Sequence, residues 1–140
     1  PLDALEYDER VKYVFIGRDP RDVFVSLFNH HQNYSDDRIR LHQDIAAKLD
    51  LEWPEMPMEI HAFFSKWINE PYFEWELEGT PYWSVFYHCN SWWNYRELAN
   101  LKLVHYDRLL HNPRNSIAAI AKFLGIVVDE TFWPTLLNNV

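Results

Sequence analysis

The sequence has 140 residues, of which 48% are hydrophobic and 17% aromatic, and its formal net charge is −8. This length and composition indicate one folded domain with a real core and exclude a disordered chain. The acidic balance argues against a nucleic-acid partner, because surfaces that track phosphates need clustered Lys and Arg. The single cysteine, Cys89, excludes an internal disulfide and a CxxC zinc signature and favours a reducing, cytoplasmic location. No apolar run reaches the roughly 20 residues that a membrane span needs.

Residues 11–34 predict a strand, a tight turn and a helix. The run from Val11 to Ile16 is short, mostly apolar and rich in β-branched and aromatic residues, which is typical of a strand buried on both faces of a parallel sheet. Gly17 and Arg18 predict the turn. Asp19 followed by Pro20 predicts an N-cap and the first position of a helix that runs to about Tyr34. The apolar positions that recur at helical spacing are Val23, Phe24, Leu27 and Phe28.

The middle of the chain is predicted to be mainly helical. Residues 36–69 show two amphipathic stretches separated by prolines, and they are followed by "EPYFEWELEGT", residues 70–80. That segment is acidic, aromatic and without a period, so we expect a solvated loop; a lid is the less favoured alternative. Thr80 and Pro81 predict an N-cap and first position of a helix that ends near Arg96.

The last third of the chain predicts a second strand and a closing helix. Leu101 to His105 is a compact strand candidate. Asn112 and Pro113 predict the start of the last helix and Gly125 its end. Buried strands separated by helices predict an α/β architecture with a parallel sheet and right-handed crossovers. Because two strands make a poor sheet, we expect further strands outside this chain.

A helix that follows a buried strand directs unpaired backbone N–H groups and its positive dipole end at one place, where an anion is stabilised. Arg18 comes at this edge and carries a planar fork of donors suited to phosphate oxygens. Ser26, two helical turns later, can add a hydroxyl donor. On spacing alone, the alternative that Arg18 only pairs with Asp19 or Asp22 in a solvated turn is equally open.

Several motifs resemble sulfotransferases. "YVFIGRDPRDVFVSLFNH" is similar to that family's strand, turn and helix around the 3′-phosphate of 3′-phosphoadenosine 5′-phosphosulfate (PAPS), and Arg18 and Ser26 match in type and spacing. "HAFFSKWI" and "YHCNSWWNYRELANLKLVHYDRLLHNPRNSIAAIAKFLGI" resemble the family's second half, in which Tyr106 matches the tyrosine beside the adenine. The resemblance covers most of residues 1–127 and is looser over 36–59 and 70–79.

The resemblance implies a parallel-sheet fold related to the P-loop NTPases, incomplete in this chain. Residues 1–140 would form a partial sulfotransferase domain: a 3′-phosphate-binding segment (11–34), a helical acceptor side (36–99), and a strand with the C-terminal helix (100–127). The family's Lys-Ser-Gly-Thr-like loop and catalytic histidine would precede Pro1, and its Arg-Lys-Gly motif would follow Val140. No catalytic residue is therefore assigned within this sequence.

The activity that the resemblance implies is transfer of a sulfuryl group from PAPS to a hydroxyl or amine of a small acceptor, an apolar alcohol or phenol, without a metal. Arg18, Ser26 and Tyr106 would bind the donor. Two alternatives stay open: a nucleoside or nucleotide kinase of the P-loop type, and a catalytically dead binding domain of the same fold.

Other side chains are weaker candidates. His88 next to Cys89 is the nearest approach to a metal-ligand pair and is predicted to serve packing or to lie at the surface, since no HExxH pattern occurs. A set of aromatic residues is predicted to be mainly core, although the resemblance implies that some of them line an acceptor pocket. This set comprises Phe63, Phe64, Trp67, Trp83 and Phe86.

Overall fold

The computed structural model describes residues 5–139. Residues 1–4 and Val140 lie outside the described residues. The resemblance to the family's sequence after its catalytic histidine begins within residues 1–4. The strands are β1 (Tyr13–Gly17) and β2 (Leu101–His105). The helices are α1 (Pro20–Gln32), α2 (Asp36–Lys48), α3 (Ile60–Asn69), α4 (Val85–Trp93), α5 (Tyr106–His111), α6 (Pro113–Leu124) and α7 (Trp133–Leu137), the last preceded by a 3₁₀ turn at Glu130–Phe132. None of the helices within 5–139 is long and apolar enough to cross a membrane.

The two strands pair in parallel, with Tyr13 opposite Leu101 and Gly17 opposite His105. Together with the helices between them, this pairing confirms the predicted α/β class. β2 has the bounds that were predicted for it. β1 begins two residues later than predicted, because the Val11 amide turns back to the Asp8 carbonyl at 3.1 Å, and the Tyr13 amide is the one that reaches the Asn100 carbonyl, at 2.8 Å.

The chain divides into two compact units. The first unit contains the residues up to Asp19 and from Cys89 onward, and the second unit contains Pro20–His88. In the first unit the sheet packs on the C-terminal end of α4, where the Trp92 and Phe15 rings stack with centroids 5.5 Å apart. Trp92 and Leu101 are the buried centre of this small core.

The core of the second unit is aromatic. Phe24 of α1 packs against Phe63 and Trp67 of α3, and Met56 completes the buried cluster. Phe63 is fully buried. The prediction of core positions is confirmed for Phe63 and Trp67 and is wrong for the other three aromatic residues of the set, which keep two fifths or more of their surface exposed: Phe64 (41%), Trp83 (48%) and Phe86 (45%).

The start of α4 differs from the prediction. Thr80 does not cap this helix, since its hydroxyl donates to the Glu70 carbonyl at 2.8 Å and the bond from Thr80 to Pro81 is cis. The helix begins at Val85, and Ser84 caps it: Oγ of Ser84 accepts from the Tyr87 amide at 2.9 Å. It ends at Trp93, three residues before the predicted end.

Two carboxylates of the acidic loop are buried where the sequence predicted solvation. Glu76 is 3% and Glu78 9% exposed, whereas Leu77 between them is 87% exposed. Glu76 accepts from the Ser84 amide at 3.0 Å. Glu78 accepts from the Ser84 hydroxyl and, at 3.1 Å, from the Phe86 amide. The two carboxylates thus satisfy donors at the start of α4 that would otherwise be buried without partners.

We expect Glu76 to make the stability of the protein depend on pH. Removal from water raises the pKa of Glu76 above its ordinary value of 4.5; the Ser84 amide opposes this shift and the Glu78 carboxylate adds to it. The folded state therefore holds the proton more tightly than the unfolded state, so this contribution to stability is complete below pH 4.5 and is lost as the pH rises through the raised pKa. One such group contributes a slope of at most about 1.4 kcal/mol per pH unit.

Glu76→Gln tests this expectation, because it removes the titration and keeps an acceptor for the Ser84 amide. Urea unfolding at a series of pH values should show that the free energy of unfolding of the variant increases relative to that of the wild type between pH 4.5 and neutrality. Glu74→Gln is the matched control, since Glu74 lies on the same loop but is exposed. Equal pH profiles for wild type and Glu76→Gln would contradict the expectation.

The prediction for α6 is correct in its bounds and wrong in one detail. Gly125 ends the helix in the left-handed region at φ 79°, as expected. Asn112 occupies the N-cap position but its side chain makes no capping hydrogen bond. Its ψ is 64°, whereas the side chains that do cap, Ser35 and Glu59, have extended backbones with ψ 157° and 132°. The last helix is α7, which the sequence did not indicate.

Candidate functional site

The carboxyl ends of the two strands lie side by side in the first unit. Because the strands are parallel and Gly17 pairs with His105, the residues that leave the sheet at this edge are Arg18 and Tyr106. The edge is where open α/β sheets bind ligands. His105 has an extended backbone and serves as the N-cap of α5, so the chain turns from strand to helix at Tyr106.

Arg18 and Tyr106 are in contact. The guanidinium carbon of Arg18 lies 5.0 Å from the centroid of the Tyr106 ring. This is a cation–π distance. Stacking on an aromatic ring uses the flat face of a guanidinium, whereas its N–H donors point outward in the guanidinium plane. The sequence predicted both residues as ligand-binding, and the structure brings these two together; their role stays a prediction.

A cavity of about 520 Å³ opens beside this pair. That volume lies within the range of small-molecule sites, roughly 300–1,000 Å³. Phe15, Leu103 and Trp93 give the cavity an apolar part, and its cations are Arg18 and Arg108. The remaining lining residues are Gly17, Cys89, Asn90, Val104 and His105. None of these lining residues is a carboxylate, although the whole chain has a net charge of −8.

This combination suits a ligand with an aromatic or apolar body and a negative charge. Two arginines attract an anion, and the flat rings of Phe15 and Trp93 suit a planar group. One acidic side chain nearby is that of Asp107, whose Oδ2 lies 3.8 Å from Nδ1 of His105. The cationic character of the cavity is therefore local, as the acidic composition requires.

Ser26 lies in the second unit. It is exposed on α1, two turns after Pro20, on a helix that buries Phe24. That Ser26 and Arg18 bind the same phosphate stays a prediction.

Sequence reasoning missed Arg108 and assigned Cys89 to packing or to the surface. Arg108 follows Tyr106 by two residues, so it lies just after the second strand. That place indicates a residue of the site only when the carboxyl ends of the two strands are known to be adjacent. Cys89 and Asn90 come from α4. Nothing local in the sequence distinguishes that part of the helix as cavity lining. Within residues 5–139 no group of three His, Cys, Asp or Glu side chains is placed to hold a metal ion.

A second cluster, in the second unit, was also not predicted. The hydroxyls of Tyr34 and Tyr82 are hydrogen-bonded to each other, and the His42 ring stacks on Trp53 with centroids 4.5 Å apart. Burial lowers the pKa of His31 and of His42, so both imidazoles are neutral near pH 7. The cluster is aromatic and polar. Tyr34 lies in the segment predicted to bind phosphate (11–34), whereas His42, Trp53 and Tyr82 lie in the region predicted as the acceptor side (36–99).

Comparison with known proteins gives consistent matches. The family model described as "Sulfotransferase domain" matches residues 2–138. Similar proteins include the glycolipid sulfotransferase of Mycobacterium bovis, 29% identical over 145 residues that cover 93% of this chain and 44% of the relative. Sulfotransferase 2A1 of Homo sapiens is 27% identical over 134 residues, which cover 95% of this chain and 38% of that protein. The chain thus spans less than half the length of these relatives.

A solved structure has the same fold. The crystal structure of mouse sulfotransferase SULT7A1 complexed with PAP matches with a TM-score of 0.63 and 21% identity, over 92% of this chain and 37% of that chain. This likeness confirms the predicted α/β sulfotransferase fold.

Proposed function

Because this chain belongs to the sulfotransferase domain family, we propose that the protein transfers a sulfuryl group from PAPS to a hydroxyl or amine of a small acceptor. The observation that carries the proposal is the contact of Arg18 with Tyr106 at the joined carboxyl ends of two parallel strands. A cation and an aromatic face side by side fit a nucleotide that carries a terminal phosphate.

The residues of this chain would bind and orient the donor. The fit is supported by the cavity, which offers apolar rings for a base and arginine for a phosphate. In this proposal Arg18 and Ser26 bind the 3′-phosphate and Tyr106 lies against the adenine. The donor supplies the activated sulfuryl group. Binding energy from its non-reacting end then positions the reacting end, which is the main protein contribution to such in-line transfers.

For the acceptor we propose a hydroxyl group on a molecule with an apolar body, such as a phenol or an aliphatic alcohol. The aromatic cluster around Tyr34, His42 and Trp53 supports this choice, as does the name of the mycobacterial relative, a glycolipid sulfotransferase. A base for the acceptor proton is not assigned to any described residue; its place before Pro1 stays a prediction.

Three further expectations from the sequence stay predictions. They are the division of residues 1–140 into phosphate-binding, acceptor and C-terminal segments, the cytoplasmic location, which rests on the single Cys89, and the absence of a metal and of a nucleic-acid partner. The kinase alternative has no support in the family match, which names a sulfotransferase domain. A binding domain without activity remains the alternative that an assay must address.

The test is an activity assay on the full-length protein that contains this chain. We expect PAPS to give a sulfated product with 2-naphthol, an aliphatic alcohol or a glycolipid, with equal rates in the presence and absence of EDTA. Binding of PAP without transfer to any acceptor would indicate a binding domain. Phosphoryl transfer from ATP that EDTA abolishes would indicate a kinase and contradict the proposal.

A further inference from the structure

Two histidines of the second unit have buried ring nitrogens without hydrogen-bond partners. They are both nitrogens of His31, at the end of α1, and Nε2 of His42 in α2, and no described residue is hydrogen-bonded to any of the three. A neutral imidazole carries one N–H donor and one acceptor, so His31 leaves both groups unsatisfied. Such groups are rare in folded proteins, because burial removes their bonds to water. The two imidazoles are therefore held by packing rather than by polar bonds.

The packing around the two imidazoles is aromatic. The Tyr34 ring contacts both, with centroids 5.3 Å from His31 and 5.5 Å from His42. His42 also stacks on Trp53, with centroids 4.5 Å apart and 16° between the ring planes. His31 in turn meets the fully buried ring of Phe63, in α3, at 5.5 Å. These rings connect the end of α1 to α2 and to α3.

The charges that act on the two imidazoles are positive. Those of His30 in α1 and Arg38 in α2 oppose protonation of the rings, and each ring opposes protonation of its neighbours. Among the described residues, no carboxylate forms an ion pair with either ring; the histidine that has such a pair is His105 of the other unit. The hydroxyls of Tyr34 and Tyr82 are hydrogen-bonded to each other. A proton on either ring would thus be a buried charge without a counter-ion, which is strongly unfavourable.

We propose that His31 and His42 form a pH-sensitive switch: either ring takes up a proton only when the end of α1 separates from α2 and α3, so acid opens this part of the second unit. Burial lowers the pKa of both histidines below the ordinary 6.5, so the closed form binds fewer protons than the open form. The stability of the closed form is therefore complete above pH 6.5 and is lost as the pH falls from 6.5 through the lowered pKa values.

The switch does not depend on the proposed function. If that function holds, a further consequence is that acid disassembles the aromatic cluster around Tyr34, His42 and Trp53, which is proposed to bind the acceptor. The acceptor side would then be assembled near neutral pH and open in acid.

Hydrogen exchange of the full-length protein at a series of pH values, corrected for intrinsic exchange rates, tests the switch. Below pH 6.5 the opening constant of amides in α1 and α2 should rise by up to about tenfold per pH unit for each histidine that takes up a proton, and so by up to about a hundredfold in the wild type. His31→Phe and His42→Phe keep a ring and remove the titration. Each should remove up to about one factor of ten per pH unit, and the double variant should remove both.

The controls separate this effect from other titrations and from poor packing. His61→Gln removes an exposed imidazole from α3 of the same unit and should leave the pH response unchanged. The titration of Glu76 acts in the opposite direction and is common to all variants, so it cancels in the comparison. His31→Gln and His42→Gln, which carry no larger ring, should flatten the response in the same way if phenylalanine does not fit.

Two results would overturn the proposal. One is a pH response of the opening constant that is the same in the wild type and in the double variants. The other comes from nitrogen NMR of the wild-type imidazoles: if His31 and His42 take up protons at pH 6.5 or above while the opening constant stays level, the rings are protonated in the closed form and no switch exists. Failure of the protein to transfer sulfuryl groups would leave both measurements unchanged, since neither uses a donor or an acceptor.

Discussion

Arg18→Ala is expected to raise the Kd of PAP by one to two orders of magnitude. Charge-assisted hydrogen bonds contribute about 1.5–3 kcal/mol each, and about 1.4 kcal/mol corresponds to a factor of ten. The protein should stay folded, because the Arg18 side chain is exposed. The measurement is calorimetric binding of PAP and of adenosine 5′-phosphate to the full-length protein.

Companion variants separate charge, shape and stacking. Arg18→Lys keeps the charge and loses the planar fork, so its Kd should lie between those of wild type and Arg18→Ala. Tyr106→Phe keeps the ring under the guanidinium and should preserve PAP binding. Ser26→Ala should weaken PAP binding less than Arg18→Ala does, since a neutral hydroxyl is the weaker donor. If Arg18→Ala weakens both nucleotides equally, Arg18 is a structural element of the turn and the phosphate assignment is wrong.

The strand, turn and helix around Arg18 could be predicted because each signal is local. The apolar run of β1, the Asp-Pro pair at 19–20 and the helical spacing of α1 all act within a few residues. The end of α1 shows the limit of that reasoning. The helix was predicted to run to about Tyr34, but the Asn33 and Tyr34 amides bond three residues back, to His30 and His31, and the α-helix ends at Gln32.

The start of α4 could not be predicted for a different reason. Thr80 and Pro81 are good signals for a helix start, and nothing in their neighbourhood contradicts them. What moves the start to Val85 is a pair of carboxylates six to eight residues before Ser84 and Phe86, held inside by tertiary burial. Acidic residues in an aperiodic segment are normally solvated, so the sequence favours the wrong environment for Glu76 and Glu78.

The site shows the same division between local and distant causes. Arg18 was predicted from its own segment and Tyr106 from the family resemblance. Placing Arg108 at the site required the register of the sheet, because only the pairing of Gly17 with His105 brings the residues after β1 and β2 to one edge.

The largest loss of stability is expected for Gly79→Ala. Gly79 is buried, has φ 110°, and its amide donates to the Trp67 carbonyl at 2.6 Å. A Cβ at this position would lie 2.5 Å from the Ser84 nitrogen, 2.6 Å from its Cα and 2.9 Å from the Trp83 carbonyl carbon. All three are backbone atoms, so no side-chain rotation relieves the clash. The backbone conformation costs about 1–3 kcal/mol and the overpacking about 1–3 kcal/mol more, so we expect a loss on the order of 4 kcal/mol.

Gly125→Ala separates the two causes of that loss. Gly125 also has a positive φ, 79°, but the nearest atom to its Cβ would be the Lys12 ammonium nitrogen at 3.9 Å. Its substitution should therefore cost only the left-handed backbone, about 1–2 kcal/mol. Urea unfolding of both variants gives the comparison. A larger loss for Gly79→Ala would show that the close approach of loop and helix start stabilises this unit. Equal losses would mean that the backbone at Ser84 shifts without cost, and that the buried carboxylates do not fix the start of α4.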